Sequence, residues 1–399
     1  MRRIGITAHT FVNWAGGLDF VRTVASGLRA SGEPLELHLL MPIEGPWLRT
    51  RTTVRAWRDA LLRRTAPPQP AGAAMEAAIA SFGEGITVHR IDIGHTALRQ
   101  AAAHLGLQAL IPALKPLPFG AELPWVGYVW DFQHRHLPQL FKPRSIARRD
   151  REFRRMLLRA PSVIVNSRAV ADDVKRFVPE ATASVWALPF SAEPQPEWFE
   201  PLPGVHERHG IRGRYFIVCN QFWQHKDHGT AFRAMAELVR SHPDVQMVCT
   251  GATSDFRDAG YFDRLMAEAR SLGIDQHLKV LGLVPKREQI ALLAGAVALV
   301  QPTLSEGGPG GGAAYDAVSL GVPALLSDIA VNREIEEPEV GFFQAGDAAS
   351  LAAAMRGRLD RAAPLHPGAA TLLAEGRQRR RRAGQVLLQA VDAACLRRP

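Results

Sequence analysis

The chain has 399 residues, 47% of them hydrophobic and 22% charged, an ordinary globular composition with room for two separate cores. Lysine and arginine total 48 against 39 acidic residues, a formal charge of +9. That excess suits nucleic acid, an anionic membrane or phosphorylated substrates and does not choose among them.

In chain order, the start Met1-Arg2-Arg3 is basic, but the apolar stretch behind it is too short for a signal peptide. Short apolar runs of strand type follow: 4–8, 35–41, 86–91, 125–130 and 162–165, with helix-like stretches between them. Five prolines between Pro189 and Pro203 read as a linker. A second series follows at 215–220, 245–250, 278–281, 297–301 and 323–327. Strands alternating with helices predict parallel sheets covered on both faces. The organisation expected is an α/β fold with a Rossmann-like domain at 1–190, another at 205–376 and a C-terminal helix at 377–399 packing back on the first domain. A ligand is expected in the cleft between them, at the carboxyl ends of the strands.

The three cysteines, Cys219, Cys249 and Cys395, form no CxxC pair. Cys219 and Cys249 sit inside strand-like apolar runs, so buried free thiols are expected there, which suits a reducing cytoplasm. The longest apolar run, 290–300, falls short of the roughly 20 residues a spanning helix needs. The expected location is therefore cytoplasmic, or peripheral on the inner face of a membrane.

A nucleotide diphosphate is held by backbone amides at a helix N-terminus together with a nearby cation. The first candidate loop follows strand one and holds Gly16 and Gly17 before a helical run. Alone, a Gly-Gly pair equally describes a turn. The second runs from Pro302 to Gly312, with five glycines in six residues opening a helix, a composition that is poor for stability and suited to close approach of a ligand. Glu306 precedes it, and Asp316 follows in the helix. The candidate cation is Lys226, in Asn220-Gln221-Phe222-Trp223-Gln224-His225-Lys226-Asp227-His228 after the first strand of the second series. His9, at the end of strand one, reads equally as a ligand contact or a plain loop residue.

These stretches, with Trp130-Asp131-Phe132-Gln133-His134-Arg135-His136-Leu137-Pro138 and Val163-Ile164-Val165-Asn166-Ser167, resemble in order the retaining glycosyltransferases of family 4 (glycosyl transferases group 1). That family has the GT-B fold, two Rossmann-like domains facing across a cleft. The resemblance covers nearly the whole chain. It implies sugar transfer from a nucleotide-sugar donor to a hydroxyl acceptor, with retention, in synthesis of a surface polysaccharide or lipopolysaccharide. Lys226 is implied at the donor diphosphate, Glu306 at the transferred sugar and Asp316 at the ribose. It also implies Gly310, Gly311 and Gly312 at sugar or phosphate, and Pro285 near the base.

The chain departs from the family pattern in three places. The second acid is an aspartate with nine residues between it and Glu306, where the family has seven residues between two glutamates. Gln221 stands where an arginine is usual, which leaves His225 as a candidate for the missing charge. Trp130 stands where a histidine is common, with Asp131 or His134 as its replacement.

Other chemistries find little support. GxSxG, GxxxxGK[ST] and DxD are all absent. His134 and His136 lack further ligands at zinc spacing, so no metal and no cofactor beyond the donor substrate are expected. The partners expected are the donor, a saccharide or lipid-linked acceptor and an anionic membrane surface. For the membrane, the basic stretches 49–64 and 142–155 are the candidates. No nucleic-acid module is recognisable. A sugar-nucleotide epimerase or an inactive nucleotide-sugar binder remains the alternative.

Overall fold

A computed structural model describes residues 1–12, 15–43, 79–80, 82–92, 94–119, 122–361 and 367–396. The basic stretch 49–64 lies outside the described residues.

The first sheet holds β1 (Arg2–Thr7), β2 (Leu35–Pro42), β3 (Ile86–Ile91), β4 (Ala109–Ala113), β5 (Trp125–Val129), β6 (Ser162–Val165) and β7 (Ser184–Ala187). Their spatial order is β3-β2-β1-β4-β5-β6-β7, and every pair is parallel. The second holds β8 (Tyr215–Cys219), β9 (Gln246–Thr250), β10 (Leu278–Gly282), β11 (Ala298–Gln301), β12 (Ala324–Ser327) and β13 (Val340–Phe343). Its order is β10-β9-β8-β11-β12-β13, again all parallel. Two parallel sheets with helices between the strands are the α/β class expected.

Three strands were not foreseen. β4 carries Pro112 in the middle of a sheet, where the missing N–H argues against a strand. The Pro112 carbonyl instead accepts from the Thr7 hydroxyl of β1. β7 and β13 are four-residue edge strands, mostly half-buried, with no long apolar run to announce them.

The helices are α1 (Ala15–Ala30), α2 (His95–His104), α3 (Gln133–His136), α4 (Pro143–Arg159), α5 (Arg168–Phe177), α6 (Val205–Arg208), α7 (His228–Leu238), α8 (Tyr261–Ser271), α9 (Lys286–Ala294), α10 (Gly311–Ser319), α11 (Ala348–Leu359) and α12 (Ala369–Leu396). One face of the first sheet is closed by α1 and α12, which bury Val21, Leu28, Leu387 and Val391 against Ile4 and Ile6. The other face takes Phe153, Met156 and Leu157 of α4. The second sheet is covered by α7 and α11 on one side and by α9 and α10 on the other. Each fully buried side chain of this kind contributes about 1.5–3 kcal/mol.

The C-terminal helix α12 starts in the second half of the chain and ends on the first sheet. Where it crosses α1, a Cβ on Gly384 would stand 2.0 Å from the Gly27 carbonyl oxygen, so the two backbones are in direct contact. Its basic start is not simply solvated. Arg379 pairs with Glu337 at 2.8 Å and Glu375 at 3.3 Å, and Arg380 with Glu193 of the proline-rich linker at 2.9 Å. None of the helices is long and apolar enough to cross a membrane, among the described residues.

Candidate functional site

The carboxyl ends of the two sheets meet around residues 303–310. Ser167 begins α5 as its cap, accepting from the Val170 amide at 3.1 Å. Its hydroxyl also donates to the Gly307 carbonyl of the opposite domain at 2.9 Å. Glu334, from the loop after β12, accepts from the Arg168 and Ala169 amides at 3.0 and 2.7 Å. A carboxylate at a helix N-terminus is favoured by the dipole and by the orphan amides there. Asn166 joins β5 to β6 by accepting from Tyr128 at 3.0 Å and donating to the Trp130 carbonyl at 3.2 Å. The cleft is thus closed at its floor.

At that floor the Lys226 ammonium pairs with the Glu306 carboxylate, both groups mostly buried. Gln301, at the end of β11, donates to the same carboxylate at 3.2 Å and accepts from Asn220, at the end of β8, at 2.5 Å. The Lys226 turn is pinned to the glycine loop from behind, because the His225 carbonyl accepts from the Leu304 amide at 2.8 Å and the Thr303 hydroxyl at 3.2 Å. Asp227 then caps α7, accepting from the Thr230 amide at 3.3 Å.

The glycine loop divides its amides. Gly310 donates to the buried Asn332 side chain at 2.8 Å and Gly311 to the Gly308 carbonyl at 3.2 Å. Asn332 in turn donates to the Ser327 carbonyl at 2.9 Å, tying the loop to the end of β12. Gly311 has φ 61°, and a Cβ there would sit 3.1 Å from Glu306 Oε1, so a bare residue is what lets the acid lie against the helix start. The next amides of α10 lack an intrahelical acceptor by geometry, and around Gly312 the space is open.

Asp316 is buried in α10 and accepts from Lys286 of α9 at 2.5 Å. Burial pushes its carboxyl up, and Lys286 opposes the shift. Gly16 and Gly17 lie in the first turn of α1 rather than in a loop ahead of it, and the charge of Asp19 in the same helix also acts on Asp316. Pro285 stands exposed at the head of α9 and Gln221 exposed before the Lys226 turn.

A chamber of about 540 Å³ opens beside the ion pair, lined by Trp130, Asp131 and Arg149 from one domain and by Trp223, Lys226 and Arg257 from the other. Burial raises the Asp131 carboxyl, and Arg149, 3.7 Å away, opposes this. A second chamber, about 550 Å³, lies on another side of Glu306, between α5 and residues 329–331.

The structure places the predicted residues unequally. Lys226, Glu306, His225 and Asp131 line one chamber. His134 lines neither chamber. It is fully enclosed, its Nε2 is 3.0 Å from Asp150, and its ring packs among Phe132, Phe141 and Phe153. His136 pairs instead with Asp173 at 2.6 Å. His225 cannot supply the charge missing at Gln221. Burial first, then the charges of Lys226 and Arg257, lower it to about 2, so it is neutral. His9 is lowered to about 4 by burial and by His95. Among the described residues there is no group of three or more ligands that could hold a metal ion.

Several residues of the site were not anticipated: Ser167 and Asn166 as contacts, Asn332, Glu334, Lys286, Arg257 and Arg149. For Arg149 a signal existed. It lies four residues before Phe153, on the buried face of α4. Lys286 opens α9, and the others sit in loops or a single short turn, where no periodicity marks them.

Residues 206–362 match the glycosyl transferases group 1 family. No curated protein sequence matches. Solved structures do, over nearly their whole lengths. A sucrose-phosphate synthase from Thermosynechococcus elongatus is 15% identical, with 98% of this chain and 94% of that one covered and a TM-score of 0.62. Anabaena HepE, in complex with UDP and glucose, is 14% identical, with 99% and 97% covered and a TM-score of 0.59. WaaG, a glycosyltransferase involved in lipopolysaccharide biosynthesis, is 12% identical, with 98% of both chains covered and a TM-score of 0.57. With its two parallel sheets meeting at one cleft, the chain is a glycosyltransferase of the GT-B fold whose residues 206–362 form a group 1 domain.

Proposed function

We propose that this enzyme transfers a sugar from a nucleotide-sugar donor to a hydroxyl of a saccharide or lipid-linked acceptor, with retention, in the synthesis of a surface polysaccharide or lipopolysaccharide. The observation that carries the reading is the Lys226–Glu306 pair at the mouth of the glycine loop. Breaking the anomeric C–O bond leaves a nucleoside diphosphate and gives the sugar oxocarbenium character. The reaction therefore needs charge stabilisation on the phosphate and a well-placed acceptor rather than a strong nucleophile. Lys226 and the first free amides of α10 meet the leaving phosphate in this reading, and Glu306 meets the sugar. Asp316 holds the ribose hydroxyls once Lys286 shares it. Asp131 lies on the acceptor side. No metal or further cofactor enters the scheme.

UDP is the first nucleotide to try, since HepE is described with UDP and with UDP-glucose. Participation in lipopolysaccharide synthesis is supported by the likeness to WaaG. A lipid-carried acceptor is supported by the outer face of α4, where Arg144, Arg148, Arg151, Arg155 and Arg159 are exposed beside a single acid, Glu152.

Calorimetric titration with nucleoside diphosphates and their sugars tests the donor site. UDP or another member of the panel is expected to bind, and at about 100 times its Kd to add roughly 2.7 kcal/mol of stability. Lys226→Ala is expected to weaken that binding and to slow transfer on the order of 10²–10³-fold. A full panel without binding at millimolar concentration defeats the reading.

A further inference from the structure

The chamber beside Lys226 holds more positive charge than its own carboxylates match. Arg149 enters from α4 and Arg257 from the loop between β9 and α8, so the two come from opposite domains. Both guanidinium groups lie over the ring of Phe141, each 4.9 Å from its centroid. Arg257 donates to the neutral Gln133 side chain at 3.2 Å and forms no ion pair among the described residues. Arg149 has Asp131 at 3.7 Å, too far for a hydrogen bond. In each arginine Nη1 is buried with no hydrogen-bond partner. Two guanidinium groups held together in a low-dielectric cleft repel each other and leave donors unmade. An oxyanion between them would remove both penalties.

Aromatic rings form part of the remaining wall, beside Leu114, Ser305 and Gly307. Trp130 and Trp223 line the chamber, and Phe256, 73% exposed, stands at its rim. Such faces take the apolar face of a sugar ring, while a guanidinium fork takes a carboxylate or phosphoryl group in bidentate fashion. Asp316 and the α10 glycines do not line this chamber, so it is a separate compartment from the ribose-binding position assigned above.

We propose that this chamber binds an acidic sugar unit, bearing a carboxylate or phosphoryl group, with Arg149 and Arg257 as a clamp closed from the two domains. This rests on the nucleotide-sugar reading above. The acidic unit belongs either to the transferred sugar or to the acceptor, and the chemistry of recognition is the same in both.

Titration of the full chain separates the two sources. In the donor arm, UDP-glucuronic acid is compared with UDP-glucose. In the acceptor arm, glucuronic acid and glucose 6-phosphate are compared with glucose on the UDP-saturated protein. Each comparison is repeated on Arg149→Gln and Arg257→Gln, with unfolding curves showing that both variants fold. A preference for the acidic partner of at least tenfold in one arm, falling to near parity in both variants, is expected and tells which substrate carries the acid. No preference in either arm overturns the proposal, as does a preference that survives both substitutions. Tenfold weaker UDP binding in Arg257→Gln, with no change in acid preference, also overturns it, because the arginine would then serve the diphosphate. If UDP fails to bind the wild type, the donor reading fails by itself. The acid-over-neutral preference is then read on the unliganded protein, where it decides the chamber independently.

Discussion

The Lys226 ammonium rests on the Glu306 carboxylate, so a diphosphate that engages Lys226 must share or displace that pair. Glu306→Gln removes the competitor while keeping the shape. Calorimetry is expected to show UDP binding up to roughly tenfold tighter, on the order of 1.4 kcal/mol. Transfer should fall about 10²-fold, because the acid proposed above to meet the sugar is gone. Weaker UDP binding in this variant would contradict the competition. The sequence marked both partners, since each sits next to a strand end and one opens a glycine run. It gave no sign that Gln301 would brace the pair or Asn332 the glycine loop, because side chains that bond across loops follow no period. His134 shows the opposite limit. Its motif is recognisable, yet its side chain turns away into a cage of phenylalanines with Asp150. A motif tells where the backbone goes and leaves the direction of each side chain to packing.

Among the elements, α4 has the most divided face. Phe153, Met156 and Leu157 go into the core, Arg149 enters the chamber, and Arg144, Arg148, Arg151, Arg155 and Arg159 on its outer side stay in water. Near an anionic bilayer each such residue is worth about 1 kcal/mol at low salt. Flotation with vesicles containing phosphatidylserine is therefore expected to carry the protein, and Arg148→Gln with Arg151→Gln and Arg155→Gln to reduce the bound fraction several-fold. Binding that is absent even at low salt would sink this contact. The same helix shows what was legible at element scale. Its helical period was plain in the sequence, whereas β4, interrupted by Pro112, and the short edges β7 and β13 were not. Their strand character comes from neighbours that supply hydrogen bonds and burial, a tertiary effect on weak local preference.

At the scale of the molecule, the second domain stores uncharged histidines. His225 is lowered to about 2 and His228 to about 3, in both cases chiefly by burial. The unfolded chain protonates an imidazole near pH 6.5, but the folded chain does not do so until far lower. Stability is therefore complete above about pH 6.5 and declines as pH falls towards those folded values, by up to roughly 1.4 kcal/mol per pH unit for each histidine. His136, raised by its hydrogen bond to Asp173, works in the opposite direction but is 42% exposed and offsets less. His9, lowered to about 4, and His134, also lowered by burial, add to the decline. Urea unfolding at pH 7.5 and 5.5 should show it, and His225→Gln should reduce it by roughly a quarter to a third. An unchanged slope in that variant would assign the pH dependence elsewhere.

The sequence by itself determined the alternation of strands and helices, the break between two series, the glycine loop and the lysine that faces it. These are local features, written in hydrophobic period and in the special geometry of glycine and proline. Only the tertiary structure decided that α12 returns to the first sheet in backbone contact with α1 and that Ser167 and Glu334 close the cleft floor. It likewise decided that Arg149 and Arg257 meet over one phenylalanine. Such contacts join residues far apart in the chain, and no local period can encode a distance that exists only once both sheets have formed.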